Sequence, residues 1–392
     1  MLNTPFSPWP SYTPEEVSAV AAVLASNRVN YWTGDRCRQF ETRFADWVGT
    51  KHAVALANGT VALDVALKAL GIGPGDEVIT TSRTFLASAS CIVTAGAIPV
   101  FADVDPDSQN ITADTIAAVL TPRTRAIICV HLGGMPCDMD PIMALAEAHG
   151  LKVIEDCAQA HGTRYRGRSV GAIGHIGAWS FCQDKIMTTG GEGGMVTTDD
   201  PALWSAMWSY KDHGKSWEAV HERAHPPGPR LVHDSFGTNW RMIEMQAAIG
   251  LIQLDYMADW TARRTRIASA LADACAPHSV VRVPTTPNHV THGWYRFYAF
   301  VRPEKLASGW SRDRIIEAVV AEGVPCFHGS ASEVYLERAF DGTGWRPDSR
   351  LPVARALGET SIAFLVHPTL TDAEVEKTCQ AIAAVMPQAT AS

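Results

Sequence analysis

Between residues 50 and 200 the chain repeats one pattern, a short apolar run followed in several places by a helical stretch. The runs are HAVALA, DEVIT, IPVFADV, RAIICVHL, LKVIED, GAWSF and GMVTT. Between them lie the helical patterns TVALDVALKAL, TFLASASCIVTAG, TADTIAAVL and MDPIMALAEAHG. Such runs leave no face for water, so they predict strands buried on both sides. Strands that alternate with helices predict crossover connections and a mostly parallel sheet, an α/β architecture. Gly96 and Gly150 end the second and fourth helical patterns, because glycine readily takes the left-handed conformation that stops a helix.

After Gly194 the alternation ceases. Residues 211–235 are polar and proline-rich and predict a long excursion, a feature usually tied to function in compact proteins. A long helical pattern begins near Met242 and leads into a smaller α+β region. There, HGWYRFYAFV reads as a strand, and SRDRIIEAVVAEG and TDAEVEKTCQAIAAVM read as helices. The expected division is a large unit over residues 1–250 and a small carboxyl-terminal unit over residues 251–392.

Composition narrows the class. A net charge of −8 with no basic stripe argues against nucleic acid and against an anionic membrane surface. The start of the chain has no cationic and apolar signal pattern, and no stretch is long enough to span a bilayer. The 9 cysteines are scattered and form no CxxC pair, which predicts free thiols in a reducing cytoplasm. His131, Cys137, Cys157 and His161 match no metal-ligand spacing, so no metal is expected.

The chemistry concentrates at Asp156 and Lys185. Asp156 ends the run LKVIED, which puts a carboxylate at the carboxyl tip of a buried strand, where α/β proteins bind ligands. Burying that carboxylate is costly without a cation, although a helix cap or a salt bridge are ordinary alternatives. Lys185 follows the GAWSF strand and precedes the glycine-rich TTGGEGG. It reads as a crevice amine, against the usual fate of lysine as a solvated surface residue. A carboxylate facing a lysine in a crevice is the equipment of a pyridoxal 5′-phosphate (PLP) enzyme. The amine forms a Schiff base with the coenzyme, and the acid pairs with its protonated ring nitrogen. Gln159 could then hydrogen-bond the ring's phenolic oxygen.

Two further positions fit that reading and also have plainer ones. Asn58, Gly59 and Thr60 open a helix directly after a strand, which makes an anion site or simply a helix cap. Phe85 follows the DEVIT strand, where it could stack on a flat ring or sit in the core.

Taken together, six segments resemble the DegT/DnrJ-type nucleotide-sugar aminotransferases, PLP enzymes of the aspartate aminotransferase superfamily. They are YWTGDRCRQFETRFADWVG, LANGTVALDVALKALGIGPGDEVIT, FADVDPDSQNI, IEDCAQAHG, WSFCQDKIMTTGGEGGMV and GTNWRMIEMQAAIGLIQL, in the family's order. The resemblance implies an aspartate aminotransferase-like fold with a large PLP domain. It makes Lys185 the Schiff-base lysine and proton carrier, with Asp156 on the pyridine nitrogen and Gln159 on the phenolic oxygen. Gly59, Thr60 and Ser180 would hold the phosphate, and Phe85 would stack on the ring. Asn239 matches a position that reaches the phosphate from a neighbouring subunit, which implies a homodimer with shared active sites.

The substrates implied are a nucleotide-linked keto-sugar and an amino-acid donor, L-glutamate in the family, serving amino-sugar or surface-glycan synthesis. Tyr31, Trp32 and His328 are sugar or nucleotide contacts by the same resemblance, and ordinary packing residues otherwise. Gly133 departs from the family, where tyrosine is commoner. The alternative activity on this fold is a PLP-dependent sugar dehydratase or lyase. In the family's dehydratase offshoots histidine replaces the lysine, which this chain retains.

Overall fold

The computed structural model describes residues 5–391, so the first 4 residues of the amino-terminal stretch lie outside it. All seven apolar runs form strands of one sheet. Its order is His52–Leu56, Gly194–Thr198, Ile176–Ser180, Lys152–Asp156, Thr124–Val130, Glu77–Thr81, Ile98–Ala102. The pairings from Ile176–Ser180 through Ile98–Ala102 are parallel, whereas Gly194–Thr198 runs antiparallel to both its neighbours.

Both faces are covered. Ile127 and Cys129 point to one side, with Ile142 and Ala146 of helix Met139–His149. Ala126, Ile128 and Val130 point to the other, with Leu63 and Leu67 of helix Gly59–Ala69. This alternation follows from the two-residue period of a strand. It places an apolar side chain at nearly every position, which is why the runs read as continuously hydrophobic.

The carboxyl-terminal region is organised around a four-stranded antiparallel sheet that includes Phe297–Val301 and Ser361–Phe364. Helices Arg312–Ala321 and Asp372–Ala389 supply Ile315, Val319, Ile382 and Val385 to its core. Helix Glu244–Cys275 serves both regions. Ala247, Leu251 and Met257 join the core beneath the large sheet, and Ile267 and Leu271 join the smaller one. Residue 250 lies inside that helix, and we propose that the two units meet along it.

The excursion contains one short helix, Trp217–His221, whose Ser216 side chain accepts the Ala219 N–H. No helix among the described residues is long and apolar enough to cross a membrane.

Candidate active site

Asp156 ends its strand opposite Ala178 of the parallel strand Ile176–Ser180. Asp156 and Ser180 therefore finish at the carboxyl end of two central parallel strands, where Gly59 also begins its helix. A side chain at Gly59 would put its Cβ 2.5 Å from the Ser180 Cβ. Only a glycine lets the helix N-terminus come this close. Asn58 caps that helix by accepting the Val61 N–H at 3.0 Å. The remaining first-turn amides, with the Ser180 hydroxyl beside them, form a cradle suited to an anion. Thr60 is exposed on the same turn.

Asp156 is buried at 6 % exposure. Its carboxylate accepts the Ser88 hydroxyl at 2.8 Å and the Ala158 N–H at 3.1 Å. Burial nevertheless pushes the carboxyl above its ordinary range. The hydrogen bonds from Ser88 and Ala158 and the positive charges of Lys185 and His131 oppose that shift without cancelling it. Among the described residues no cationic side chain lies within 4.0 Å of it. A protonated ring nitrogen would supply the missing cation, so the donor set fits PLP.

Gln159 is also buried, and its side-chain oxygen accepts the Gly133 N–H at 2.7 Å. With the oxygen so occupied, the amide NH2 is left to donate. Gly133 has φ 65°, in the left-handed region that suits glycine. A Cβ there would lie 3.0 Å from the Tyr298 ring. The aromatic absent from position 133 is thus balanced by one arriving from the carboxyl-terminal sheet.

Lys185 is held in a small network. Its Nζ lies 3.3 Å from Asp184 Oδ1 and 5.2 Å from the Tyr295 ring centroid. The Tyr295 hydroxyl donates to Asp184, and the Trp9 indole N–H donates to the Lys185 carbonyl at 2.8 Å. Burial raises the Asp184 carboxyl, but the Lys185 charge and the Tyr295 hydroxyl outweigh it and hold the group below its usual range.

The other candidates lie on neighbouring segments of the chain or on its surface. Phe85 is 70 % exposed, on the loop that precedes Ser88. Asn239 is exposed and bridges to Asp212, one residue before Trp240, whose carbonyl accepts the Ala57 N–H. Tyr31 is buried between Glu41, Trp208 and Lys211, and is a packing residue within this chain. Trp32 donates to Asp212 at 2.8 Å, and His328 faces Asp313 on the surface.

Sequence reasoning missed Ser88, Asp184, Tyr295 and the Glu155–His131 pair. Glu155 is fully buried and its carboxylate meets His131 Nε2 at 3.0 Å. It also accepts the N–H groups of Gly171, Ile173 and Gly174. The ligand atoms of His131, Glu155 and Cys157 lie within 4.8 Å of one another, but both Glu155 oxygens are already committed to these donors.

Burial would raise the Glu155 carboxyl; the His131 contact and the Gly174 and Gly171 amides outweigh that and lower it. A carboxyl lowered in the folded state stabilises the protein above its unfolded pKa, and loses that effect as pH falls through the folded value. Glu155→Gln is therefore expected to lower stability by about 2 kcal/mol at pH 7. In urea titrations the gap to wild type should close as pH drops below about 4.3. An unchanged gap at acid pH would contradict this account.

Residues 10–383 match the profile described as the DegT/DnrJ/EryC1/StrS aminotransferase family. The chain is 38% identical over 354 residues to the GDP-perosamine synthase of Caulobacter vibrioides, covering 89% of each sequence. It superposes on an aminotransferase from Psychrobacter cryohalolentis with TM-score 0.97 at 62% identity, covering 98% of this chain and 100% of that one. DesV of S. venezuelae, solved with a ketimine intermediate, gives TM-score 0.86 at 32% identity, covering 97% and 98%.

Proposed function

Since this chain belongs to the DegT/DnrJ/EryC1/StrS aminotransferase family, we propose that it transfers an amino group from an amino acid, L-glutamate, to a keto-sugar carried on a nucleotide. The enzyme is a PLP-dependent aminotransferase. The observation that carries the site assignment is a buried carboxylate, Asp156, with no cationic side chain among the described residues within 4.0 Å, beside an anion cradle and a crevice lysine. The sugar reading is supported by the likeness to GDP-perosamine synthase.

PLP supplies an electron-withdrawing ring that stabilises negative charge on the substrate carbon. In this proposal Asp156 keeps the ring nitrogen protonated, and Gln159 donates its NH2 to the phenolic oxygen. Gly59, Thr60 and Ser180 grip the phosphate, while Phe85 covers one face. Lys185 would hold the coenzyme covalently and, as a free amine, would carry the proton at the substrate carbon. Asp184 and Tyr295 restrain that amine when it is free.

We also propose a cytoplasmic homodimer in which Asn239 serves the partner's phosphate site. The dimer is supported by two exposed apolar side chains, Leu231 (81 %) and Phe236 (98 %), that no other described residue covers. The test begins with holoenzyme and L-glutamate, which should bleach the visible coenzyme absorbance. A panel of keto-sugar nucleotides should then restore the colour, with an aminated product identified by mass. Failure of every amino acid to bleach the colour would remove the reading.

A further inference from the structure

Thr84 and Ser88 are both buried, and their hydroxyl oxygens lie 2.9 Å apart. A hydroxyl has one proton to donate, and Ser88 donates its own to Asp156 at 2.8 Å. The contact between the two hydroxyls therefore runs the other way, with Thr84 donating to Ser88. Three buried groups thus form a directed chain, from Thr84 through Ser88 to Asp156. We propose that Thr84, held in place by the buried Arg83, is a positioning residue that turns the Ser88 proton onto Asp156. The proposal rests on the reading that Asp156 faces the coenzyme ring, and it adds the residues that orient that carboxylate.

Arg83 supplies the anchorage. Among the described arginines only Arg83 and Arg264 are buried. The Arg83 Nε donates to the Gln109 side-chain oxygen at 3.1 Å, and its Nη1 donates to the Ser330 carbonyl at 3.4 Å. Its guanidinium lies 5.7 Å from the centre of the Tyr298 ring. No carboxylate oxygen lies within 4.0 Å of it among the described residues, and burial lowers its pKa. Burying a charge in this way is costly, and an apolar side chain of similar length would avoid that cost. What the guanidinium adds is attachment, to Gln109 on one side and to the carboxyl-terminal region on the other. The Ser82 carbonyl makes a second link to that region by accepting the Val334 N–H at 2.9 Å. The backbone is therefore fixed immediately before Thr84.

The direction of the Ser88 hydroxyl matters because Ser88 is the second residue of helix Ala87–Thr94. A serine there has an ordinary alternative acceptor, the carbonyl four residues earlier. The Thr84 hydroxyl holds the Ser88 oxygen as an acceptor and leaves its proton aimed at Asp156. In a dry interior each donor in such a chain also polarises the next. Burial pushes the Asp156 carboxyl up, and the Ser88 hydrogen bond is the largest contribution against that shift. Weakening the chain should therefore raise the carboxyl further and loosen its grip on the coenzyme.

The test follows the Asp156 carboxyl by NMR in full-length apoprotein carrying 13C-labelled aspartate, with Asp156→Asn identifying the signal. Ser88→Ala should raise its titration midpoint by roughly 0.5 to 1 unit. Thr84→Val, which keeps the shape and removes the donor, should raise it by part of that amount. PLP affinity, measured by titrating the same apoprotein, should fall roughly 2- to 10-fold in Thr84→Val. Thr84→Ser restores the hydroxyl and should return both values to wild type. The double variant Thr84→Val with Ser88→Ala should shift no further than Ser88→Ala alone. Arg83→Met should move both values in the same direction as Thr84→Val; if it fails to fold, the Thr84 variants decide alone. An unchanged Asp156 titration in Thr84→Val would overturn the proposal. So would a shift that Thr84→Ser leaves uncorrected, which would make residue 84 a packing residue, or a double variant in which the single effects add. A wild-type protein that binds no PLP would remove the coenzyme reading by itself, and the Asp156 titration would still decide whether the chain of hydroxyls acts.

Discussion

Replacing Lys185 with alanine is expected to lower turnover by at least roughly 10²- to 10⁴-fold, the range associated with a lost proton-transfer group. Loss of the covalent link to the coenzyme adds to that. The protein should remain folded, because among the described residues the polar and ring contacts of the Lys185 amine are with Asp184 and the face of Tyr295. A partly exposed ion pair of this kind contributes about 1 kcal/mol or less. Steady-state rates and a thermal unfolding curve on the same preparation separate the two effects. A Lys185→Ala enzyme with near-normal turnover would assign the chemistry to another residue.

Asp156→Asn should act through the coenzyme and spare the fold. Truncating one partner of a buried charge pair costs about 2–5 kcal/mol, so PLP affinity should fall roughly 30-fold to several-thousand-fold. The apoprotein should behave differently. Burial raises the Asp156 carboxyl above its ordinary range, so the unfolded chain ionises more readily than the folded one. Stability contributed by such a group declines as pH rises through the shifted region. At neutral pH the apo Asp156→Asn protein is therefore expected to be no less stable than wild-type apoprotein. If urea midpoints showed the apo variant strongly destabilised, Asp156 would be a structural residue and not a coenzyme partner.

The parallel sheet was legible because its strands are buried on both faces, so each announces itself as a continuous apolar run. HAVALA through GMVTT all became strands of one sheet. Their order was not legible. The antiparallel insertion of Gly194–Thr198 between His52–Leu56 and Ile176–Ser180 depends on pairings between distant segments, which no local pattern encodes. The long excursion was readable from its prolines and charges. Its one helical turn, capped by Ser216, was not singled out, although a capping serine before WEAVH was a usable signal.

At the site, residues that carry their own oddity stood out, such as an acid ending an apolar strand or a lysine before a run of glycines. The residues that support them did not. Ser88 reads as one small residue in TFLASAS, and only the fold aims it at Asp156. Tyr295 reaches Asp184 from more than a hundred positions away. Gly133 was noticed as a departure, yet its two consequences appear only in three dimensions. One is the N–H that orients Gln159, and the other is the space taken by Tyr298. Tyr31 was attractive by its place in the family and is occupied with Glu41 and Trp208 within the chain.

The most direct measurement is reductive trapping. Borohydride treatment of the PLP-loaded protein, followed by digestion and peptide mass analysis, should put the pyridoxyl group on Lys185. A label on Lys211 or Lys215, the lysines beside Asp212, or on no lysine at all, would contradict the assignment.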